Sequence, residues 1–126
     1  MSNNNHKILI VDDDSVNITA LVMILEDDYE LFIVKDGQNA IDCANKVSPD
    51  IILLDVIMPD MDGFETLGKL KLSDKTKDIP VIFITGLKSS EDEEKGLALG
   101  AVDYIYKPFD PATVTQKVRY HLCRRE

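Results

Sequence analysis

Apolar runs of four or five residues alternate along the chain with longer stretches in which apolar positions recur every three or four. Short uninterrupted runs suit strands covered on both faces, and the periodic stretches suit amphipathic helices. The pattern predicts strands near 7–12, 30–35, 51–55, 80–85 and 102–106, with helices near 15–27, 37–48, 64–72, 91–100 and 111–124. The buried stripe of the second helix is expected at Ala40, Ile41, Ala44 and Val47, that of the third at Phe64, Leu67 and Leu70, and that of the fifth at Val114, Val118 and Leu122. Ser15 or Asp14 is placed to cap the first helix, Asp62-Gly63 to start the third, and Ser90, ahead of Glu91, Asp92, Glu93 and Glu94, to start the fourth.

Five such βα units most simply form a doubly wound α/β fold: a five-stranded parallel sheet with helices on both faces, flavodoxin-like, whose common small version has strand order 2-1-3-4-5. In that order the carboxyl ends of four strands are neighbours, at about 4.8 Å per step. They run into Asp12 and Asp13, Asp55, Thr85 and Lys107. Three carboxylates, a hydroxyl and an ammonium then share the edge where such sheets bind ligands.

Composition narrows the picture. With 126 residues and 44% hydrophobic content there is material for one core. One domain is expected over 7–124, between a disordered N-terminal segment at 1–6 and a C-terminal stub at 125–126. No apolar stretch approaches the roughly 20 residues that cross a bilayer, so no membrane role and a cytoplasmic location are expected. The net charge of −9 opposes direct binding to nucleic acid. Cys43 and Cys123 lack the neighbours of a metal site and read as free thiols.

Two carboxylates about 4 Å apart repel by roughly 4 kcal/mol at an effective dielectric of 20. Asp12, Asp13 and Asp55 therefore call for a cation, and a small set of oxygen ligands suits one Mg²⁺. A carboxylate beside that ion is a competent nucleophile for phosphorus, and Asp55, alone at a central strand end, is the choice. Thr85 and Lys107 are placed to neutralise the transferring oxygens. Taken singly, each residue has a plainer role: Asp13 and Asp14 as helix caps, Thr85 as a strand former, Lys107 as part of a turn before Pro108. Their coincidence at four strand ends favours the chemical reading. Asp60-Met61-Asp62-Gly63 imitates part of a calcium loop, but aligning its glycine puts Met58 and Lys69 at the first and last ligand positions, and the match fails.

These residues resemble the receiver domain of two-component response regulators. The resemblance covers about Lys7 to Leu122 and rests on ILIVDDD (8–14), PDIILLDVIMPDMDGFE (49–65), VIFITG (81–86) and GAVDYIYKPF (100–109). It implies that Asp55 accepts a phosphoryl group from a phosphohistidine of a sensor histidine kinase or phosphotransfer protein. It further implies that Asp12, Asp13, Asp55 and the backbone carbonyl of Ile57 hold Mg²⁺, that Lys107 pairs with the phosphoryl group, and that Pro108 follows a cis peptide. Thr85 would move toward the phosphoryl oxygen, making room for Tyr104 to turn inward. That would switch the face made by the fourth helix, fifth strand and fifth helix, which would control an output domain or partner, or serve a homodimer. The chain would then be a signalling phosphoacceptor, not an ordinary enzyme, promoting its own Mg²⁺-dependent phosphorylation and dephosphorylation. Ile57 and Leu87 are apolar at positions that vary in the family, and neither can orient an attacking water, so a long-lived phosphoryl-aspartate is expected.

Three other readings compete. Ile8–Val16 fits the DxDx[TV] signature of haloacid-dehalogenase-like phosphatases, with Asp12 as nucleophile and Asp14 as acid/base, but only Asp110 and Glu126 follow Lys107 where an acidic pair is needed. A flavin carrier of the same architecture would place FMN phosphate against Asp12, Asp13 and Asp14. A degenerate receiver acting only as an interaction module would be expected to lack one of the site groups, and none is missing.

Overall fold

A computed structural model describes residues 6–125. Apart from His6, the segment expected to be disordered lies outside the described residues, as does Glu126 of the expected stub. The elements are β1 (Lys7–Val11), α1 (Ser15–Leu25), β2 (Glu30–Val34), α2 (Gly37–Val47), β3 (Ile51–Asp55), α3 (Gly63–Leu70), β4 (Val81–Thr85), α4 (Ser90–Leu99), β5 (Asp103–Tyr106) and α5 (Pro111–Arg125). All strand pairings are parallel, and the order is β2-β1-β3-β4-β5, as the sequence predicts.

The period of two along each strand divides the core between the two faces. Leu9, Val11, Ile52, Leu54, Val81 and Phe83 face one layer, where Ala40 and Ala44 of α2 and Phe64, Leu67 and Leu70 of α3 meet them. Ile8, Ile10, Ile51, Leu53, Ile82 and Ile84 face the other, with Leu21 and Leu25 of α1 and Val114, Val118 and Leu122 of α5. β3 and β4 are buried at every residue, which is why their sequences carry no alternation, whereas edge strand β2 stays partly exposed. Of the α2 stripe, Ile41 and Val47 are only half-buried.

Helix starts follow local chemistry. Asp14 caps α1 by accepting from the Val16 N–H, and Asp62 caps α3 by accepting from Glu65 N–H at 2.8 Å. The α4 cap is Ser89 and not Ser90: its Oγ accepts from Asp92 N–H at 3.1 Å, leaving Glu91, Asp92 and Glu93 in the first turn near the positive helix end. Gly100, at φ 115°, ends α4 in the left-handed region that a side chain disfavours.

Candidate functional site

Register brings the chemistry together. Val11 pairs with Leu54, Asp55 with Ile84, and Thr85 with Tyr106, so Asp12, Asp55, Thr85 and Lys107 lie at adjoining carboxyl ends of β1, β3, β4 and β5. Lys107 Nζ reaches both buried carboxylates, at 3.2 Å from Asp55 Oδ1 and 3.5 Å from Asp12 Oδ2. One oxygen each from Asp12, Asp13 and Asp55 fall within 4.8 Å of one another. Asp13, Asp14, Ser15, Asp55, Ile57, Gly86 and Lys107 line the cleft.

The electrostatics of this cluster are unbalanced. Asp55 is only 4% exposed; burial first, then the nearby Asp12 charge, push its carboxyl up to about 6 against the pull of Lys107. Asp12 Oδ1 accepts from Asp14 N–H at 2.9 Å, but Asp12 Oδ2 is buried without a hydrogen bond among the described residues. Its ion-pair distance to Lys107 leaves that lone-pair demand unmet. Three carboxylates against a single ammonium leave two negative charges, which a hard divalent cation would balance, so the donor set fits Mg²⁺.

A family model described as the response regulator receiver domain matches residues 8–119. The chain belongs to that family. This receiver domain is 42% identical over 114 residues to the response regulator PleD of Caulobacter vibrioides, covering 90% of this chain and 25% of PleD. It is 39% identical over 115 residues to a probable cyclic di-GMP phosphodiesterase of Vibrio cholerae, covering 91% of this chain and 26% of that one. The chain thus spans about a quarter of the length of these relatives. The receiver domain of sensor histidine kinase PA1611 from Pseudomonas aeruginosa, solved with a magnesium ion coordinated in its active-site cleft, is 28% identical with a TM-score of 0.87, covering 94% of this chain and 98% of that one.

The remaining site positions of this receiver domain fall in different surroundings. Thr85 is buried, its hydroxyl accepting from Leu87 N–H at 3.0 Å. Ile57 lines the cleft and is 60% exposed, whereas Leu87 is half-buried and packs on the core. Gly86 has open space where a Cβ would stand, so the cleft mouth is clear. The Lys107–Pro108 peptide is cis. Tyr104 already lies inward, 4% exposed, with its hydroxyl donating to the Asp92 carbonyl at 2.8 Å.

Sequence reading missed how the loop after Asp55 is fixed. Gly63 N–H donates to the Val56 carbonyl at 2.7 Å, and a Cβ on Gly63 would stand 2.4 Å from the Asp55 carbonyl oxygen. This close approach holds the start of α3 against the strand end that carries Asp55. The signal was present in Asp62-Gly63, which periodicity reads only as a helix start.

Proposed function

We propose that Asp55 is the phosphoacceptor of this receiver domain and takes its phosphoryl group from the phosphohistidine of a sensor histidine kinase or phosphotransfer protein. One observation carries the reading: Asp55 is a buried carboxylate at the end of the central strand, wedged between Asp12 and Lys107 with its charge incompletely balanced. An Asp55 oxygen attacks phosphorus, the P–N bond breaks, and the departing imidazole keeps that electron pair and takes up a proton. Lys107 lies where its ammonium meets the charge of the transferring group, and Thr85 supplies a hydroxyl donor from the next strand. Asp12, Asp13, Asp55 and the Ile57 carbonyl would hold Mg²⁺, which when bound offsets carboxylate repulsion and charge on the phosphoryl oxygens.

Phosphorylation by acetyl phosphate or a kinase, followed by borohydride trapping and mass spectrometry, tests the assignment. Label on Asp55 and none in Asp55→Asn is expected; label on Asp12 would favour the phosphatase chemistry instead. Ile57 and Leu87 offer no hydrogen bond to an attacking water, so the phosphoryl group should persist. Ile57→Asn with Leu87→Glu should lose phosphate faster, and equal lifetimes would refute the role of these positions.

In this reading residues 7–124 form the receiver unit in the cytoplasm, and the face of α4, β5 and α5 passes its state to an output domain or partner, or to a second copy. Leu97 and Val102 are partly exposed on that face beside Tyr106 and Lys117, giving it the mixed apolar and charged character of a transient interface. No helix among the described residues is long and apolar enough to cross a membrane.

A further inference from the structure

Four strand ends supply the site, but the sheet has a fifth. β2 ends at Val34, in register with Val11 of β1, and the Asp12 N–H donates to the Val34 carbonyl at 3.3 Å. Lys35, the next residue, therefore stands beside Asp12 on the same carboxyl edge of the sheet. Its side chain turns toward the cleft: Lys35 Nζ donates to Ser15 Oγ at 2.9 Å, and Ser15 lines the cleft with Asp13 and Asp14. An ammonium thus stands at the mouth on the β2 side of the acidic cluster, opposite Lys107, which follows β5 at the other side of the sheet.

The two ammonium groups meet different things. Lys107 pairs with the buried Asp55 and Asp12, whereas Lys35 is exposed, as are Asp13, Asp14 and Ser15 around it. The charges of Asp12, Asp13, Asp14 and Asp55 are matched only when Lys107, Lys35 and a divalent ion are all present. Without Lys35 the mouth is net negative toward an incoming phosphodonor, which is itself an anion. β2 lies two strand spacings from β3, roughly 10 Å, so Lys35 acts on a group at Asp55 through its field and not by contact. A field over that distance is felt at low salt and screened at high salt, since the Debye length is about 10 Å at 0.1 M.

We propose that Lys35 is a specificity-determining residue that favours phosphodonors whose leaving group departs as an anion. This role rests on the phosphoacceptor reading of Asp55 given above. With an acyl phosphate, an Asp55 oxygen attacks phosphorus, the bond from phosphorus to the bridging oxygen breaks, and a carboxylate leaves with that electron pair. Asp55 is buried at the base of the cleft, so in-line displacement sends the leaving group outward, toward the mouth where Lys35 stands. With phosphoramidate the P–N bond breaks and ammonia leaves with the electron pair, uncharged, so the Lys35 charge has less to stabilise.

Labelling rates with acetyl phosphate and with phosphoramidate, at saturating Mg²⁺ and with the label mapped to Asp55, test the role. At low ionic strength Lys35→Ala should lower the acetyl phosphate rate constant about five-fold and the phosphoramidate rate constant less than about two-fold. Lys35→Glu should deepen the acetyl phosphate loss to about twenty-fold, Lys35→Arg should stay within about two-fold of wild type, and 0.5 M NaCl should shrink every loss. Lys35 is exposed, so these variants should melt within about 2 °C of wild type. Equal losses with the two donors would mark a structural role and overturn the proposal, as would an unchanged acetyl phosphate rate at low salt. Calorimetric titration with Mg²⁺ alone supplies an arm that needs no phosphoryl transfer. Lys35→Ala should tighten Mg²⁺ binding about two-fold at low ionic strength, because one repelling charge has left the edge, and unchanged or weaker binding would also overturn the proposal. A wild-type chain that takes label from neither donor counts against the phosphoacceptor reading, while the calorimetry still decides whether the Lys35 charge acts on the site.

Discussion

Asp55 and Asp103 are carboxylates at opposite ends of the same sheet, one closing β3 and the other opening β5, and their surroundings push them in opposite directions. Burial raises both. At Asp103 it is outweighed by hydrogen bonds from Lys117 at 2.8 Å and His121 at 3.0 Å, together with Tyr104 N–H, so the carboxyl sits below its ordinary range. At Asp55 a single ammonium at 3.2 Å opposes burial and the charges of Asp12 and Asp13, and the carboxyl rises to about 6. The difference separates a carboxylate that fastens α5 to β5 from one whose demand for positive charge is left for something that binds.

The strongest way to break this contrast is Asp55→Asn. It should abolish phosphoryl uptake, measured as loss of more than about 100-fold in labelling with acetyl phosphate, since an amide is a poor nucleophile. The same change should stabilise the metal-free protein at pH 7.5 by about 1 to 3 kcal/mol in urea unfolding, because it removes a buried, underbalanced charge.

A pH series sharpens the comparison. The Asp55 carboxyl binds its proton more tightly folded, at about 6, than at its ordinary 3.8, so between those values the folded state holds more protons. Stability of the metal-free protein should therefore fall as pH rises through that window, by up to about 3 kcal/mol from this group, and then level off. Wild type minus Asp55→Asn isolates the effect, and 10 mM MgCl₂ should flatten it. A difference curve that rises with pH would contradict the unbalanced pocket. Asp103 works the other way: its contribution is present above its ordinary value and fades as acid protonates it.

Asp103→Asn should then cost about 1 kcal/mol at pH 7.5, the scale of a partly exposed, charge-assisted pair. Lys117→Ala should cost less, about 0.5 kcal/mol, with the loss shrinking further in 1 M NaCl. Equal and large losses for Asp55→Asn and Asp103→Asn would erase the distinction between the two carboxylates.

Much of the pocket was legible because strand periodicity and strand order together dictate which residues share an edge. Asp12, Asp55, Thr85 and Lys107 each directly end or follow an apolar run, so placing the runs places the residues. The Asp103 clamp was not legible: its partners lie 14 and 18 residues away on α5, on a face that periodicity marks only as outside the buried stripe. The Ser89 cap was missed because Ser89 and Ser90 are equivalent by composition, and only backbone geometry chooses between them.

By itself, the sequence determined the number and type of elements, the parallel sheet and the acidic edge with its lysine, because hydrophobic period and strand-end chemistry are local properties carried by residue order. Tertiary structure decided how evenly each charge is balanced and where a ring finds room. The rise of the Asp55 carboxyl, the Asp12 Oδ2 left without a hydrogen bond among the described residues and the Gly96 space under Tyr104 all depend on side chains from separate elements meeting within a few ångströms. Desolvation and steric exclusion act only through such meetings, and no spacing along the chain encodes them.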